Sequence, residues 1–317
     1  MNQLSVNSLA LELVEELRLT PYYYGVGIQE EAPIIIDAGV EAKGGFQAGK
    51  IITEICMGDL GQADITYKEY GDLQLPSIMV CTDYPSIATL GSQLAGWRIQ
   101  EGDYSAIGSG PGRALALKPK DVYQQIGYQD SCDQAVIVLE TDDYPPAEVS
   151  QKLADECEVS LEDLTLILTP TSSIAGSTQI SGRIVETGIH KLTEIGLDPK
   201  VILHACGYAP ISPLHPEFVH SMARTNDAIL YGGVAYYTVN HPDDQELERL
   251  VEEAPSESSS DYGKPFLEIF KEADYDFYNI DNELFAPAVL TINNIKTGNT
   301  FTSGKINAPI LKQSLGL

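Results

Sequence analysis

Apolar and polar residues follow two repeating patterns along the chain, one typical of amphipathic helices and the other of buried strands. Leu9, Leu13 and Leu17 recur every fourth position, which predicts a first helix. A strand with a glycine turn, APIIIDAGVEA, and a glycine-preceded helix, GGFQAGKIITEICMG, are predicted next. The segment LPSIMVCTDYPSIATLGSQLAGW predicts a further strand followed by a helix.

The alternation is clearest from residue 133 onward. The predicted strands there are DQAVIVLET, LTLILTPT, KVILHACGY and AILYGGVAYYTV. Helix-like segments separate them, namely PPAEVSQKLADEC, STQISGRIVETGIHKLTEIG and SPLHPEFVHSMAR. Strands that alternate with helices predict an α/β fold.

The length of 317 residues fits one large domain or two of ordinary size, and we expect two. The predicted second domain covers residues 126–239, and residues 1–125 together with 240–317 form a discontinuous first domain. The acidic, serine-rich segment from Glu252 to Pro265 predicts a solvated, mobile loop. A helix, KPFLEIFKEA, and a hairpin made of AVLTINNI and TGNTFTSGKI are predicted after it.

The charge balance narrows the classes of partner. There are 46 acidic and 19 basic residues, a formal net charge of −27, so nucleic acids and anionic membrane surfaces are unfavourable partners. Adaptation to high intracellular salt and an ordinary acidic enzyme both explain this charge. No apolar run approaches the ~18 residues that span a membrane, and no secretion signal precedes the first helix, so a cytoplasmic location is expected.

The cysteines predict packing rather than cross-linking. Five of them are scattered without CxxC spacing, which argues against a disulfide framework or a thiolate zinc cage. Most of them are expected to be buried as small apolar residues.

The stretch AGSTQISGRIVETGIHK, from Ala175 to Lys191, holds the first candidate site. On a helix, Arg183 and Glu186 share one polar side, opposite an apolar side formed by Ile184, Val185, Ile189, Leu192 and Ile195. One interpretation is a solvent-exposed ion pair. The other is an active site, because a strand precedes the stretch and ligands of α/β sheets bind beyond the carboxyl ends of strands. The small residues Ser177 and Thr178 would let a substrate approach backbone N–H groups there.

The segment IGSGPGRALALKPK offers a second candidate. Gly108, Ser109 and Gly110 precede Arg113 in a glycine-rich turn that permits an anion-binding concavity. Arg113, helped by Lys118 or Lys120, could hold a phosphate. The segment lacks the Walker and dinucleotide-binding patterns, and a tight turn between two elements explains it equally well.

A third candidate is HACGYAPISPLHPEFVH. Its side chains His204, Cys206, His215 and His220 are possible zinc ligands of a metal-dependent hydrolase. Their spacing matches no usual zinc pattern, which favours structural histidines. No GxSxG segment is present, so covalent acyl transfer lacks support.

Taken together, several segments resemble methenyltetrahydromethanopterin cyclohydrolase, an archaeal family of one-carbon metabolism. They are AGVEAKGGFQAG, ICMGDLG, IGSGPGRAL, SIAGSTQISGRIVETGIHKL and HACGYAPISPLHP, in order from about residue 30 to the carboxyl end. Two positions depart from the family pattern, where an acidic residue is expected at Gln47 and alanine at Gly112.

The resemblance implies two α/β domains with the active-site cleft between them, a homotrimer, and a small-molecule pterin substrate. It implies reversible hydrolysis of 5,10-methenyl-tetrahydromethanopterin to 5-formyl-tetrahydromethanopterin, with no metal and no prosthetic group. In this family the arginine and glutamate of the GRIVE segment are catalytic, and they correspond to Arg183 and Glu186. Glu186 would then take and return protons while Arg183 keeps it ionised.

Two other classes remain open at this point. One is the metal-dependent hydrolase built on the histidines and Cys206. The other is a non-catalytic protein that binds a pterin or a phosphate without turnover, which an activity assay would distinguish.

Overall fold

The computed structural model describes residues 4–276 and 279–317. Its helices are α1 (Val6–Leu19), α2 (Pro21–Tyr24), α3 (Phe46–Cys56), α4 (Arg113–Ala116), α5 (Lys120–Ile126), α6 (Ala147–Cys157), α7 (Ile174–Ser181), α8 (Ile184–Glu194), α9 (Phe218–Gly232), α10 (Asp244–Glu253), α11 (Phe266–Glu272) and α12 (Ala308–Leu315). A π-helical segment covers Ile87–Gln93.

The strands are β1 (Gly27–Gln29), β2 (Ile34–Asp37), β3 (Gly61–Tyr70), β4 (Leu73–Thr82), β5 (Trp97–Glu101), β6 (Tyr104–Ser109), β7 (Ala135–Glu140), β8 (Leu164–Leu168), β9 (Ile202–Pro210), β10 (Val234–Val239), β11 (Val289–Asn294) and β12 (Thr300–Gly304). They form two six-stranded sheets, and the α/β fold class is confirmed.

The chain divides into two compact units. The first lies within Met1–Gln62 and Ser86–Gln179, and the second within Ala63–Pro85 and Ile180–Leu317. Each unit contains one of the two sheets.

The first unit is built on the sheet with the order β1-β2-β8-β7-β6-β5. Strands β2, β8 and β7 run parallel to one another, and every residue of β8 is buried, as is usual for a parallel strand covered on both faces. On one face, α1 and α3 pack against Ile36, Val138 and Ile167. On the other, α6 packs against Ile137 and Leu166.

The second unit is built on the sheet with the order β12-β11-β10-β9-β4-β3. Strands β10 and β11 are parallel, whereas β9 pairs antiparallel with both β10 and β4. Residues of β10 alternate between the two faces, so Ala235 and Tyr237 are buried while Tyr236 is exposed.

The predicted domain ranges differ from these two units. The predicted range 126–239 contains β7 and β8 of the first sheet as well as β9 and β10 of the second. The reason lies in strand pairing: β8 pairs with β2, and β9 pairs with β4, over long separations in sequence. An apolar run predicts a strand but does not specify its neighbour in a sheet.

Two local predictions are wrong. The first half of AILYGGVAYYTV belongs to α9, and β10 begins only at Val234. The serine-rich segment is not a fully solvated loop, because Ser256 is fully buried and donates to the Leu230 carbonyl. Within the same segment, the Ser259 hydroxyl donates to Asp281 at 2.7 Å, which ties the segment to a distant part of the chain. None of the helices in residues 4–276 and 279–317 is long and apolar enough to cross a membrane.

Candidate active site

The Arg183 and Glu186 side chains lie at the amino-terminal end of α8. The predicted helical stretch is in fact two helices, and the chain turns at Gly182 and Arg183 between α7 and α8. Arg183 occupies the N-cap position, and Glu186 lies in the first turn of α8. A carboxylate at this position is stabilised by the positive end of the helix dipole.

Both side chains are buried. Arg183 is 7% exposed and Glu186 is 6% exposed, so the solvent-exposed ion pair considered above is wrong. Removing a charge from water is costly unless other groups compensate for it, and ionisable side chains are rarely buried without a partner. Burial of both side chains therefore leaves a structural role and a chemical role to be distinguished by their surroundings.

The position of α8 is set by close packing on β9 and β10. A β-carbon at Gly233 would come within 2.5 Å of Ile184 Cδ1, and one at Gly207 would come within 3.3 Å of Val185 Cγ2. Glycines at these positions therefore allow the first turn of α8 to approach the sheet closely. The first turn is the part of the helix that carries Glu186.

Tyr237 completes this packing from the centre of β10. Its hydroxyl donates to the Val185 carbonyl at 3.0 Å. Burial raises the pKa of Tyr237 well above its usual value, and the charge of Glu186 raises it further. Tyr237 therefore stays a neutral hydrogen-bond donor beneath the first turn of α8.

Sequence reasoning did not identify this role of Tyr237. From the sequence, the segment AILYGGVAYYTV predicts only a strand. The period-two alternation from Val234 onward was the available signal, because it places Tyr237 and Tyr236 on opposite faces.

In the first unit, Asp37 organises the loop that follows β2. Its carboxylate accepts hydrogen bonds from the backbone N–H groups of Gly39, Val40, Glu41 and Ala42 at 2.7 to 2.8 Å. Tyr144 also donates to this carboxylate, at 3.0 Å. Burial opposes ionisation, but the backbone donors outweigh it, and the pKa of Asp37 lies below its usual value.

Ser177 and Thr178 lie on α7, and both are fully buried. The Thr178 hydroxyl donates to the Ile174 carbonyl within the same helix at 2.7 Å. A β-carbon at Gly49 would come within 2.4 Å of Thr178 Cβ, so Thr178 packs closely against α3. The small residues of this stretch thus bring two helices together in the first unit.

The surroundings of Arg113 favour a structural role over the predicted grip on an anionic ligand. Arg113 is fully buried, and its guanidinium donates to the carbonyls of Lys118, Leu90 and Ser92 at 2.7 to 3.2 Å. These bonds tie α4 to the π-helical segment and to the turn before α5. Lys118, which was expected to help Arg113, forms an ion pair with Glu156 at 2.6 Å.

The glycine-rich turn before Arg113 has a packing role as well. Gly110 has a φ of +91°, a conformation that favours glycine, and its N–H donates to the Ser92 carbonyl. Gly108 and Ser109 are buried at the end of β6, and Ser109 donates to the Val138 carbonyl at 3.4 Å. The tight-turn interpretation therefore describes this segment better than the phosphate-binding one.

The four residues of the alternative metal site are not brought together. His204 is hydrogen-bonded to Asp83 at 2.7 Å, whereas the rings of His215 and His220 stack on each other at 4.3 Å. Cys206 forms a disulfide with Cys81, so the expectation that the cysteines would be unpaired packing residues is wrong for these two. No group of three or more metal-ligating side chains occurs among the described residues.

Comparison with known proteins defines the class of protein. A family model described as "Cyclohydrolase (MCH)" matches residues 5–315. Methenyltetrahydromethanopterin cyclohydrolase of Methanothermobacter marburgensis is 46% identical over 91% of this chain and 91% of its own length. The proteins of the same name from Methanococcoides burtonii and Methanocaldococcus jannaschii are 45% and 44% identical, over 99% of this chain and 99% and 98% of their own lengths.

The chain belongs to the methenyltetrahydromethanopterin cyclohydrolase family. It is therefore an enzyme, a hydrolase that acts on carbon–nitrogen bonds in cyclic amidines.

Proposed function

We propose that this enzyme catalyses the reversible hydrolysis of 5,10-methenyl-tetrahydromethanopterin to 5-formyl-tetrahydromethanopterin, with Glu186 as the acid–base residue. The relatives that carry the corresponding name support the substrate. The observation that supports the role of Glu186 is its burial in the first turn of α8, next to Arg183 at the N-cap.

The substrate determines what the protein has to supply. Its methenyl carbon bridges two nitrogens in a delocalised cation, so the carbon is already electrophilic. The reaction needs a positioned water molecule and a group that accepts a proton from it. A carboxylate that stays ionised in a buried site meets the second need.

The proposed sequence of steps conserves atoms and charge. The water oxygen forms a bond to the methenyl carbon while one water proton moves to Glu186, which gives a neutral tetrahedral carbinol. The bond from that carbon to the leaving nitrogen then breaks, Glu186 protonates this nitrogen, and the carbinol loses its hydroxyl proton to become the formyl group. One proton is released to solvent overall.

Arg183 has a supporting role in this proposal. A guanidinium beside a carboxylate favours its ionised form, and the dipole of α8 acts in the same direction. Burial acts in the opposite direction, because it favours the neutral acid. In this proposal Arg183 offsets the cost of keeping Glu186 charged at 6% exposure.

The decisive test follows the near-ultraviolet absorbance of methenyl-tetrahydromethanopterin during turnover by Glu186→Gln. This change keeps size and hydrogen bonding but removes the base, so we expect kcat to fall about 10²- to 10⁴-fold while the substrate still binds. Glu194→Gln is the matched control, because Glu194 lies exposed at the other end of α8. A Glu186→Gln enzyme with kcat within a few fold of the wild type would exclude Glu186 as the base. Wild-type protein that binds the substrate without turnover would favour the non-catalytic alternative.

Neither a metal nor a prosthetic group is part of the proposed mechanism, because the cationic substrate needs no Lewis acid. A purified enzyme that retains full activity after dialysis against a chelator, with no metal found by elemental analysis, would support this. Chelator-sensitive activity that is restored by zinc would favour the metal-dependent alternative. We also propose that the enzyme is a homotrimer, as the family resemblance implies. The molar mass in solution tests this.

A further inference from the structure

The second sheet carries the disulfide between Cys81 and Cys206 on its solvent-facing side. The two residues lie opposite each other on β4 and β9, and neither strand is at an edge of the sheet. Cys206 is exposed and Cys81 is partly exposed, so small molecules in solution can reach the bond. Exposed disulfides are reduced by solvent thiols more readily than shielded ones, and they include the regulatory and catalytic disulfides of proteins.

The backbone holds the two strands together independently of this bond. Pairing joins β4 and β9 at six positions, from Ser77 opposite Pro210 to Thr82 opposite Ala205. Strand β9 also pairs with β10 on its other side. If the sulfur–sulfur bond opens, this ladder keeps the two cysteines at opposite positions, so the bond can form again. The arrangement therefore permits reversible opening within the folded protein.

Charged side chains border the disulfide in both directions along the strands. Two residues away on one side, His204 Nδ1 is hydrogen-bonded to Asp83 Oδ1 at 2.7 Å. Two residues away on the other side is Tyr208, and the Lys68 ammonium of β3 lies 4.8 Å from the centre of its ring. Residues two apart in a strand are separated by about 7 Å, so these groups are near neighbours of the cysteine pair.

These charges matter because thiol exchange depends on the thiol that leaves. A nearby cation favours the thiolate, and a more acidic thiol leaves faster. Lys68 supplies a positive charge on the Tyr208 side of the disulfide. The exposed acidic residues of β3, Asp64 and Glu69, act in the opposite direction, whereas Asp83 is engaged with His204. Histidine can also donate a proton to a thiolate near neutral pH.

We propose that Cys206 is a site of reversible thiol–disulfide exchange with small thiols in solution. A solvent thiolate attacks Cys206 Sγ, the bond from this sulfur to Cys81 Sγ breaks, and the electron pair stays on Cys81 as a thiolate. The product is a mixed disulfide at Cys206. A second small thiol then attacks the mixed disulfide and releases the protein thiol. In total, two small thiols are oxidised to one disulfide, and the protein gains two electrons and two protons.

Exchange at this site should change stability and leave the proposed reaction nearly untouched. Val80 is fully buried on the opposite face of the sheet, and Gly207, which pairs with it, packs there against Val185 of α8. The disulfide therefore points away from the helix that carries Glu186. Its two cysteines are 125 residues apart in sequence, so opening the bond restores conformational freedom to the unfolded chain. We expect the reduced protein to unfold at a lower temperature.

The test places the folded wild-type protein in glutathione buffers with stepped ratios of reduced to oxidised form. Free thiols are then blocked by alkylation, and mass spectrometry of peptides measures the bonded, mixed-disulfide and thiol forms. We expect the bond between Cys81 and Cys206 to open as reduced glutathione rises and to form again when the ratio is reversed. The mixed disulfide should appear on Cys206, whereas the buried Cys56 and Cys157 should carry none.

The double variant Cys81→Ser/Cys206→Ser is the matched control. We expect its thermal midpoint to lie below that of the oxidised wild type and to stay the same at every glutathione ratio. The wild-type midpoint should fall as the bond opens. Circular dichroism shows whether each protein is folded at the start of the measurement.

Three results would overturn the proposal. The first is a disulfide that stays intact at every ratio and opens only in denaturant, as a purely structural cross-link would. The second is a protein in which both cysteines remain thiols even in fully oxidised glutathione, and the third is a mixed disulfide on Cys81 instead of Cys206. If the double variant does not fold, the wild-type titration still decides, because it needs no variant. Activity is assayed separately at each ratio, so failure of the exchange and failure of the proposed reaction are distinguishable.

Discussion

Gly188 of α8 lies against the hydroxyl of Tyr237, so close that a β-carbon at residue 188 would come within 2.0 Å of the Tyr237 oxygen. The same hydroxyl donates to the Val185 carbonyl one turn earlier in the helix. Glu186 lies between these two contacts in sequence. The fit between Gly188 and Tyr237 therefore helps to set the position of the proposed base, together with the packing at Gly207 and Gly233.

Gly188→Ala should displace α8 from the sheet. The fully buried Tyr237 has little room to move, so we expect a loss of about 1–3 kcal/mol in the free energy of unfolding, as for other overpacked cores. We also expect a lower kcat, because Glu186 moves with its helix. Chemical unfolding and the absorbance assay measure the two effects.

Tyr237→Phe provides the control for this contact. Without the hydroxyl, part of the steric conflict disappears, so Gly188→Ala should cost less in the Tyr237→Phe background than in the wild type. Strict additivity of the two substitutions would show that the contact does not determine the position of α8.

The sequence predicted the apolar side of α8 but not the surroundings of its polar side. Ile184, Val185 and Ile189 are fully buried, as their helical spacing required. Arg183 and Glu186 are buried too, and no periodicity distinguishes a polar side that faces water from one that faces other polar groups. The catalytic role that we propose for them rests on the resemblance to a family, not on the sequence pattern.

The sequence pattern also could not predict which strands pair with each other. The runs that became β7, β8 and β9 were correctly predicted as strands, yet β8 and β9 belong to different sheets. The partners β2 and β4 come from much earlier in the chain. Local patterns report whether a strand is buried, whereas its neighbours depend on contacts between distant residues.

Arg113 gives a second prediction. A glycine-rich turn with an arginine resembles an anion site in sequence, but this guanidinium is occupied by three backbone carbonyls. Arg113→Ala would leave those carbonyls buried without their donor, so we expect a loss of about 1–3 kcal/mol in stability. The Michaelis constant of the folded fraction should stay unchanged at low temperature. Lys120→Ala, at an exposed position nearby, is the control, and a raised Michaelis constant for Arg113→Ala alone would restore the anion-binding role.

The cysteines give a third prediction. Cys81 and Cys206 are bonded to each other, whereas Cys56, Cys132 and Cys157 are not in a disulfide. A thiol reagent added to unfolded protein without reductant should therefore label three cysteines, and five after reduction. Cys81→Ser should leave Cys206 open to labelling without reductant. Mass spectrometry counts the labels, and five labels before reduction would contradict the disulfide.

Asp227 gives a prediction about pH. It is 1% exposed, and its carboxyl accepts the N–H of Phe266, the first residue of α11, at 2.8 Å. Burial raises the pKa of this carboxyl from its ordinary 3.8 to about 7. The folded protein therefore holds a proton that the unfolded chain has already lost between pH 4 and pH 7. Stability falls with rising pH wherever the folded state binds more protons than the unfolded state. The free energy of unfolding therefore falls between pH 4 and pH 7 because of Asp227, and above pH 7 the full loss remains.

Asp227→Asn removes this titration while it keeps an oxygen that can accept the Phe266 N–H. We expect the variant to be more stable than the wild type at pH 8, by up to about 4 kcal/mol for a pKa difference of roughly three units. The difference should shrink as the pH falls, to less than about 1 kcal/mol near pH 4, where the carboxyl is protonated in the folded state and partly protonated in the unfolded chain. Chemical unfolding at four pH values between 4 and 8 measures it, with the exposed Asp64→Asn as control. A stability difference that does not depend on pH would mean that the Asp227 carboxyl titrates alike in the folded and unfolded chains.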